Sequence, residues 1–501
     1  IAELARLTVA EARTFFGELR LPARTEEIVA EVRREIAERL RFLDDVGLGY
    51  LTLDRSTATL SGGEAQRIRL ATQIGSGLVG VIYVLDEPTV GLHPRDTARL
   101  LDSLRGLRDL GNTVLLVEHD QDTIRAADHI IDLGPGAGRR GGEVVFEGTT
   151  RDLLRRKGLP TADFAAGRRV IERPAPRPPP DHFLEVKEAS AHNLRNVNAR
   201  FPVGRLSCIT GVSGAGKSSL LFDVLRDAAE KKEGVPGVVE GLDRYGSLYV
   251  VDQMPIGTTP ASNPATYTKA FDPIRSLFAM VPEARVRGYD ARRFSFNRAG
   301  GRCETCEGRG SVKVEMHFLA DVWVPCEECD GKRYGRETLE VKWKGKSIAD
   351  VLALEVAEAR EFFSNVPPIQ RILATLDDVG LGYLSLGQSA TTLSGGEAQR
   401  VKLASELARR ARNEVLYLLD EPTCGLHATD VEKLVAVLHR LVDQGHTVVV
   451  VEHNVEFLRT ADWIVDLGPE GGSGGGRLVA EGPLDAIMGC AESHTGRSLR
   501  V

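Results

Sequence analysis

At 501 residues the chain has room for several domains, each burying its own core, which excludes a small disulfide-stapled protein. Charged residues at 27% and apolar residues at 42% are ordinary for a globular protein, and no apolar run approaches the length that spans a bilayer, so the chain is expected in the cytoplasm with no membrane partner. A formal charge of −7 excludes a globally basic nucleic-acid binder while leaving room for a local basic surface.

The chain opens on Ile1 rather than Met, and Ile1 to Leu19 is amphipathic rather than a signal peptide, so the natural N-terminus is expected upstream and the chain is read as a fragment. Asp45 to Leu51 (DVGLGYL) leads into Thr59 to Arg67 (TLSGGEAQR). There Ser61 and Glu64 have the S-x-x-E spacing of a capping box, predicting a helix with Ile68 and Ala71 on its apolar face. Gly62 and Gly63 leave the first amides bare, so Ser61, Gly62 and Gly63 are candidates to receive a γ-phosphate. Val81 to Leu85 is a continuous apolar run, predicted as a parallel strand buried on both faces that delivers Asp86 and Glu87 at its end. A further strand leads to His119.

After Gly148 the strand pattern stops, and Arg173 to Pro180 (RPAPRPPP) predicts an extended spacer, because proline runs form neither helix nor sheet interior. Residues 1–148 are therefore read as one domain, 149–180 as a linker and 181–501 as a second domain.

Gly211 to Leu220 (GVSGAGKSSL) fits the phosphate-loop pattern G-x-x-x-x-G-K-S, with a buried strand predicted over Leu206 to Thr210 and a helix over Lys217 to Leu225. Gly211, Ser213, Gly214, Gly216 and Ser219 would wrap the α- and β-phosphates of ATP, Lys217 would reach the β/γ-phosphates, and Ser218 would ligate Mg²⁺. Gln253, placed after another strand, is a candidate to sense Mg²⁺ or water.

Cys303-x-x-Cys306, nineteen residues, then Cys326-x-x-Cys329 is the spacing of a tetrathiolate Zn²⁺ site with a structural role, its intervening residues alternating as strands do. Cys208, Cys424 and Cys490 are isolated and read as packing thiols, which suits a reducing compartment. Around the first pair the charge balance reverses. Arg285, Arg287, Arg292, Arg293, Arg298, Arg302, Arg309 and Lys313 are interleaved with Tyr289, Phe294 and Phe296, a DNA-facing patch or a solvated basic loop. Residues 285–345 are read as the zinc-binding, DNA-contacting insertion.

The pieces of the first domain then recur. DVGLGYL returns at Asp378 to Leu384, TLSGGEAQR at Thr392 to Arg400 with Ser394, Gly395 and Gly396, and the apolar run at Val415 to Leu419. Asp420 would hold Mg²⁺ through water, Glu421 would orient or deprotonate the attacking water, and His453, after the strand Thr447 to Val451, would contact the γ-phosphate. The two halves read as related tandem domains, of which one carries a phosphate loop and the first has lost its own beginning.

Together these residues resemble the ATP-binding cassette superfamily. Ser262 to Thr268 (SNPATYT), Phe271 to Phe278 (FDPIRSLF), Arg293 to Asn297 (RFSFN), Lys313 to Leu319 (KVEMHFL) and Gly331 to Val341 (GKRYGRETLEV) narrow the resemblance to the UvrA family of bacterial nucleotide excision repair, over nearly the whole chain. The resemblance implies an α/β fold of two tandem ATPase cassettes with helical signature subdomains, the first incomplete, and a small tetracysteine zinc module in the second. It implies an ATPase that is not itself a nuclease, a homodimer that surveys duplex DNA for lesions irrespective of sequence, and UvrB as a partner. It implies head-to-tail pairing, in which Ser61, Gly62 and Gly63 close the site floored by Gly211 to Ser219. Asp86, Glu87, His119 and Ser394 to Gly396 are then remnants of a second site. The family's PIGRTPRSNP reads PIGTTPASNP here, with Thr258 and Ala261 in place of arginines, and the first phosphate loop, first zinc module and UvrB-binding insertion are missing. A shorter paralogue for tolerance of DNA-binding drugs therefore stays open. An exporter ATPase is opposed by the tetracysteine insertion, and a chromosome-associated ATPase by the absence of heptad arms.

Overall fold

The computed structural model describes the whole chain except residues 58, 59, 61, 75–78, 253, 258, 315, 317–321, 410–412 and 501. It divides into two compact units that do not follow chain order: Ile1–Asp132, Val144–Val250 and Asn413–Val501 form one, Leu133–Glu143 and Val251–Arg412 the other.

The first unit is built on a six-stranded sheet in the order Arg477–Gly482, Trp463–Gly468, Leu206–Gly211, Thr447–Val451, Val415–Asp420, Ser247–Val251. Leu206–Gly211 runs parallel to both neighbours and is buried throughout, as is Val415 to Leu419, which is what an unbroken apolar run requires of a central parallel strand. A three-stranded antiparallel layer of Val197–Pro202, Phe183–Ala189 and Val238–Glu240 shares its core: Leu184, Val186 and Phe201 cluster with Ile209, Leu416, Leu418, Val449 and Val451. The helix predicted from Lys217 forms, with the wider i→i+5 turn over Ser219–Arg226, and buries Leu220, Leu221, Val224 and Leu225.

The first copy of the repeat contributes a two-stranded parallel sheet, Ile82–Asp86 beside Thr113–Val117. Here the expectation of burial on both faces is overturned. Tyr83 and Leu85 pack with Leu70, Leu100 and Leu104, whereas Ile82 is 70% and Val84 65% exposed. Their counterparts Leu416 and Leu418 lie under the layer that carries Leu184 and Phe201; among the described residues no such layer covers the first sheet.

Residues 171–180 form neither helix nor strand, and Arg177 pins the segment through ion pairs to Asp443 (2.6 Å) and Asp462 (2.8 Å). The second unit is mostly short helices around the hairpin Ser311–Val314 and Val322–Pro325, with the helix Gly395–Leu407 at its end. No helix among the described residues is long and apolar enough to cross a membrane.

Candidate functional site

The phosphate loop leaves its buried strand at Gly211 and turns back into the helix at Lys217. Gly214 has φ +73°, and a Cβ there would stand 2.6 Å from the ring of Tyr50, so the loop tolerates no side chain at that point. Lys217 Nζ donates to the carbonyls of Gly211 (3.1 Å) and Val212 (2.9 Å). Burial pushes its ammonium down to about 8 against the pull of Glu421, Asp96 and Asp420. Ser213 Oγ and both ring nitrogens of His453 are buried without hydrogen-bond partners. A buried cation beside buried polar groups that lack hydrogen-bond partners suits an entering polyphosphate, so the residues fit a nucleotide.

Asp420 closes its strand, and Glu421 follows at φ +46°, its N–H donating to the carbonyl of Val451 (2.9 Å). Glu87 repeats this with φ +44° and the carbonyl of Val117 (2.9 Å). Glu421 Oε1 lies 3.7 Å from His453 Nε2, and Glu87 Oε1 lies 3.6 Å from His119 Nε2. Burial holds His453 well below the ordinary histidine range and therefore neutral, a ring with one donor and one acceptor.

The two copies cross over at this point. A Cβ on Gly91 would meet Glu421 Oε2 at 3.1 Å, and one on Gly425 would meet Glu87 Oε2 at the same 3.1 Å. His93 packs edge-on against His453 (6.0 Å between ring centroids), and His427 against His119 (6.5 Å). A cavity of about 590 Å³ opens between them, lined by Glu87, His119, Glu421, Cys424 and His453 among others. His93 Nδ1 accepts from the Arg95 N–H (3.2 Å), which leaves Nε2 to donate to Thr495 Oγ1 (3.1 Å); Thr495 in turn donates to Asp466 (3.1 Å).

Of the first signature, Ser61 lies outside the described residues, and Gly62 and Gly63 open the helix Gly62–Ile74. Tyr50 bridges that helix to the phosphate loop: its hydroxyl donates to Glu64 and its ring lies on Gly214. Asp96 of the first copy also reaches the loop, accepting from the Ser213 N–H (3.3 Å). The phosphate loop, Asp420, Glu421 and His453 are thus together in one unit with the first copy's Tyr50 and Glu64. Gln253 and Thr258 lie outside the described residues. In the second unit Ser394 caps Gly395–Leu407 with the reciprocal bonds of a capping box, as predicted, and Tyr383 donates to Glu397 (2.6 Å).

Sequence reasoning missed Tyr50, Glu118, His93, Asp96, Thr495 and Glu452. All but Thr495 sit in stretches that occur twice, and that doubling was the available signal. Glu452 is buried and takes N–H bonds from Thr423 (2.9 Å), His453 (2.9 Å) and Asn454 (3.1 Å). Burial pushes its carboxyl up to about 7, against the hydrogen bonds from Thr423 and Asn454, which favour the ionised form.

The four cysteines converge. Cys303, Cys306, Cys326 and Cys329 are buried with sulfurs all within 4.8 Å of one another, Cys303 to Cys326 at 3.9 Å and Cys306 to Cys329 at 3.7 Å. Tetrahedral Zn–S bonds near 2.3 Å place sulfurs about 3.8 Å apart, so the residues fit a structural zinc with no open position. Of the basic segment, Arg287 pairs with Glu340 (2.6 Å) and Glu283 (2.7 Å), Arg293 with Glu337 (2.7 Å), Arg302 with Glu304 (3.0 Å) and Arg292 with Asp290 (4.0 Å). Arg298 is exposed, as is Lys313 on the hairpin strand. Phe294 and Phe296 do not belong to a DNA-facing surface. They are buried against Phe278 (5.6 Å) and Phe271 (5.3 Å), because two large apolar rings gain more from a core than from water.

No protein-family model matches the chain. It is 56% identical over its full length to UvrABC system protein A of Bacillus subtilis, of which it spans 53%. The crystal structure of UvrA2 from Deinococcus radiodurans matches all of it with a TM-score of 0.93 and 49% identity, covering 63% of that chain. A chain from the ribosome-bound archaeal Pelota and ABCE1 assembly shares the fold alone, at TM-score 0.52 and 19% identity, over 96% of this chain and 63% of its own. The chain spans about half the length of the curated relatives it matches.

Proposed function

The chain belongs to the UvrA family, and we propose from that premise that it is an ATP-hydrolysing, DNA-binding unit that recognises damaged duplex in nucleotide excision repair. The observation that carries the reading is the meeting of Gly211 to Ser219, Asp420, Glu421 and His453 in one unit, with Tyr50 of the first copy on the loop.

In this reading Gly214, Gly216 and the amides through Ser219 hold the phosphates, and Lys217 leaves its own loop carbonyls to pair with them. Ser218 and Asp420 hold Mg²⁺, which neutralises charge on the transferring phosphoryl group. Glu421 orients the attacking water, and His453 sets its orphaned ring nitrogens on the γ-phosphate side. Ser61, Gly62 and Gly63 supply the lid. The four cysteines keep a structural zinc, and exposed Arg292, Arg298 and Lys313 meet the DNA backbone, with Arg287, Arg293 and Arg302 exchanging weak surface ion pairs for phosphate. Backbone contact suits lesion search, where sequence must not matter and deformability must. Residues 1–148, 149–180 and 181–501 are the cassettes and their linker, 285–345 the DNA-contacting insertion. The partners are duplex DNA, a second copy and UvrB, in the cytoplasm.

The 56% identity to UvrABC system protein A favours repair over the drug-tolerance paralogue. The test is binding to lesion-containing and intact duplexes across a salt series, with ATP turnover measured alongside. A lesion preference with ATP hydrolysis is expected, and each phosphate-contacting arginine removed lowers the log–log salt slope by about 0.9. An unchanged slope across Arg292, Arg298 and Lys313 variants returns the segment to a solvated loop, and binding to neither duplex sinks the proposal.

A further inference from the structure

Glu452 stands between two loops that contribute to the site and belongs to neither the phosphate contacts nor the metal ligands. One carboxylate oxygen accepts from the N–H of Thr423, two residues beyond Glu421; the other accepts from the N–H groups of His453 and Asn454 (2.9, 2.9 and 3.1 Å). The first copy repeats the arrangement. Glu118 accepts from Thr89 N–H (2.9 Å) and Oγ1–H (2.6 Å) with one oxygen, and from His119 N–H (3.1 Å) and Asp120 N–H (3.4 Å) with the other. Every partner named here is a donor, and the side chain of Glu452 is 2% exposed, so water does not substitute for either oxygen.

From this geometry we infer that Glu452 is a positioning residue that locks the loop after Glu421 to the loop of His453, so that the two groups face the γ-phosphate side as one body. The inference rests on the proposed ATP site. Glu421 needs such a lock: its backbone is held at φ +46°, a conformation an L residue leaves unless its surroundings hold it. Its own N–H is tied to Val451, one residue before Glu452, so the strand end fixes one side of the glutamate and Glu452 fixes the other. The phosphate loop takes no bond from Glu452 in this arrangement, which separates its effect from nucleotide binding.

The test is Glu452→Gln in the 501-residue chain. A glutamine brings one acceptor and one NH₂, so a donor must face either Thr423 or the His453 and Asn454 pair. The expected result is a kcat at least tenfold lower, a Kd for Mg-ADP within twofold of the parent, and faster amide hydrogen exchange at Thr423, His453 and Asn454. Unchanged exchange at those amides overturns the lock, as does a loss of kcat matched by an equal loss of Mg-ADP affinity, the signature of general loosening. A parent chain that hydrolyses no ATP while the amides respond removes the ATPase reading and leaves the lock standing. Should Glu452→Gln fail to fold, Glu452→Asp, which keeps both acceptor oxygens but withdraws them by one methylene, reads the same lock through exchange at Thr423, His453 and Asn454, and unchanged exchange there overturns it equally.

Discussion

His93 is the residue through which acid should reach the fold. In the unfolded chain a histidine takes up a proton near pH 6.5, whereas burial pushes His93 down to about 3, against the pull of Asp96. Between those values the unfolded state holds more protons, so stability is whole above about pH 6.5 and falls as the pH drops toward 3. By pH 5 the loss from this group is about 2 kcal/mol. A His93→Gln variant keeps an acceptor for Arg95 N–H and a donor for Thr495, and its urea midpoint is expected to drop less than the parent's between pH 7 and 5. Equal drops would mean that His93 takes no part. At this scale the legibility of the sequence divides cleanly. The strand-to-helix turn at Gly211 to Ser219 and the convergence of the four cysteines were legible as local geometry, because motif spacing encodes both. Glu452 was not, because its role depends on amides from a loop 29 residues away.

Among the elements, the two apolar strands that deliver an Asp-Glu pair make a natural experiment. Val84 and Leu418 occupy matched positions, yet one is 65% exposed and the other buried. Val84→Thr is expected to change stability by no more than about 0.5 kcal/mol, and Leu418→Thr to cost about 3 kcal/mol, read from denaturant midpoints. Similar costs would show that the first sheet has a covering layer in solution. The sequence was silent on this difference because an apolar run reports what a strand would bury, not what lies opposite it. The same limit explains Phe294 and Phe296, whose neighbours in the chain are basic and whose neighbours in space are phenylalanines. For the tetracysteine hairpin, metal analysis is expected to find one zinc per chain, lost when Cys326 and Cys329 both become Ser. Full retention after that change would remove the assignment.

For the whole chain, one phosphate loop implies one productive nucleotide. Ser61→Arg places a bulky cation where the proposed lid meets that nucleotide, and is expected to lower ATP turnover at least tenfold more than Ser394→Arg in the second unit. Calorimetry is expected to give one nucleotide per chain. Equal losses from the two substitutions would take away the lid and the one-site reading together.

The crossing of the two copies has a genetic consequence. Gly91 of the first half lies against Glu421 of the second, and Gly425 of the second against Glu87 of the first, so that a methyl group on either glycine would push the opposite carboxylate aside by a few tenths of an ångström. The halves of a duplicated gene usually drift apart, because each protects only its own fold. Here the tight neighbour of each glycine belongs to the other half, so second-site suppressors of Gly91→Ala are expected near Glu421 as well as among its own sequence neighbours, where φ +69° strains an L residue. A substitution at either glycine is therefore to be scored against the opposite half's glutamate, Glu421 for Gly91 and Glu87 for Gly425.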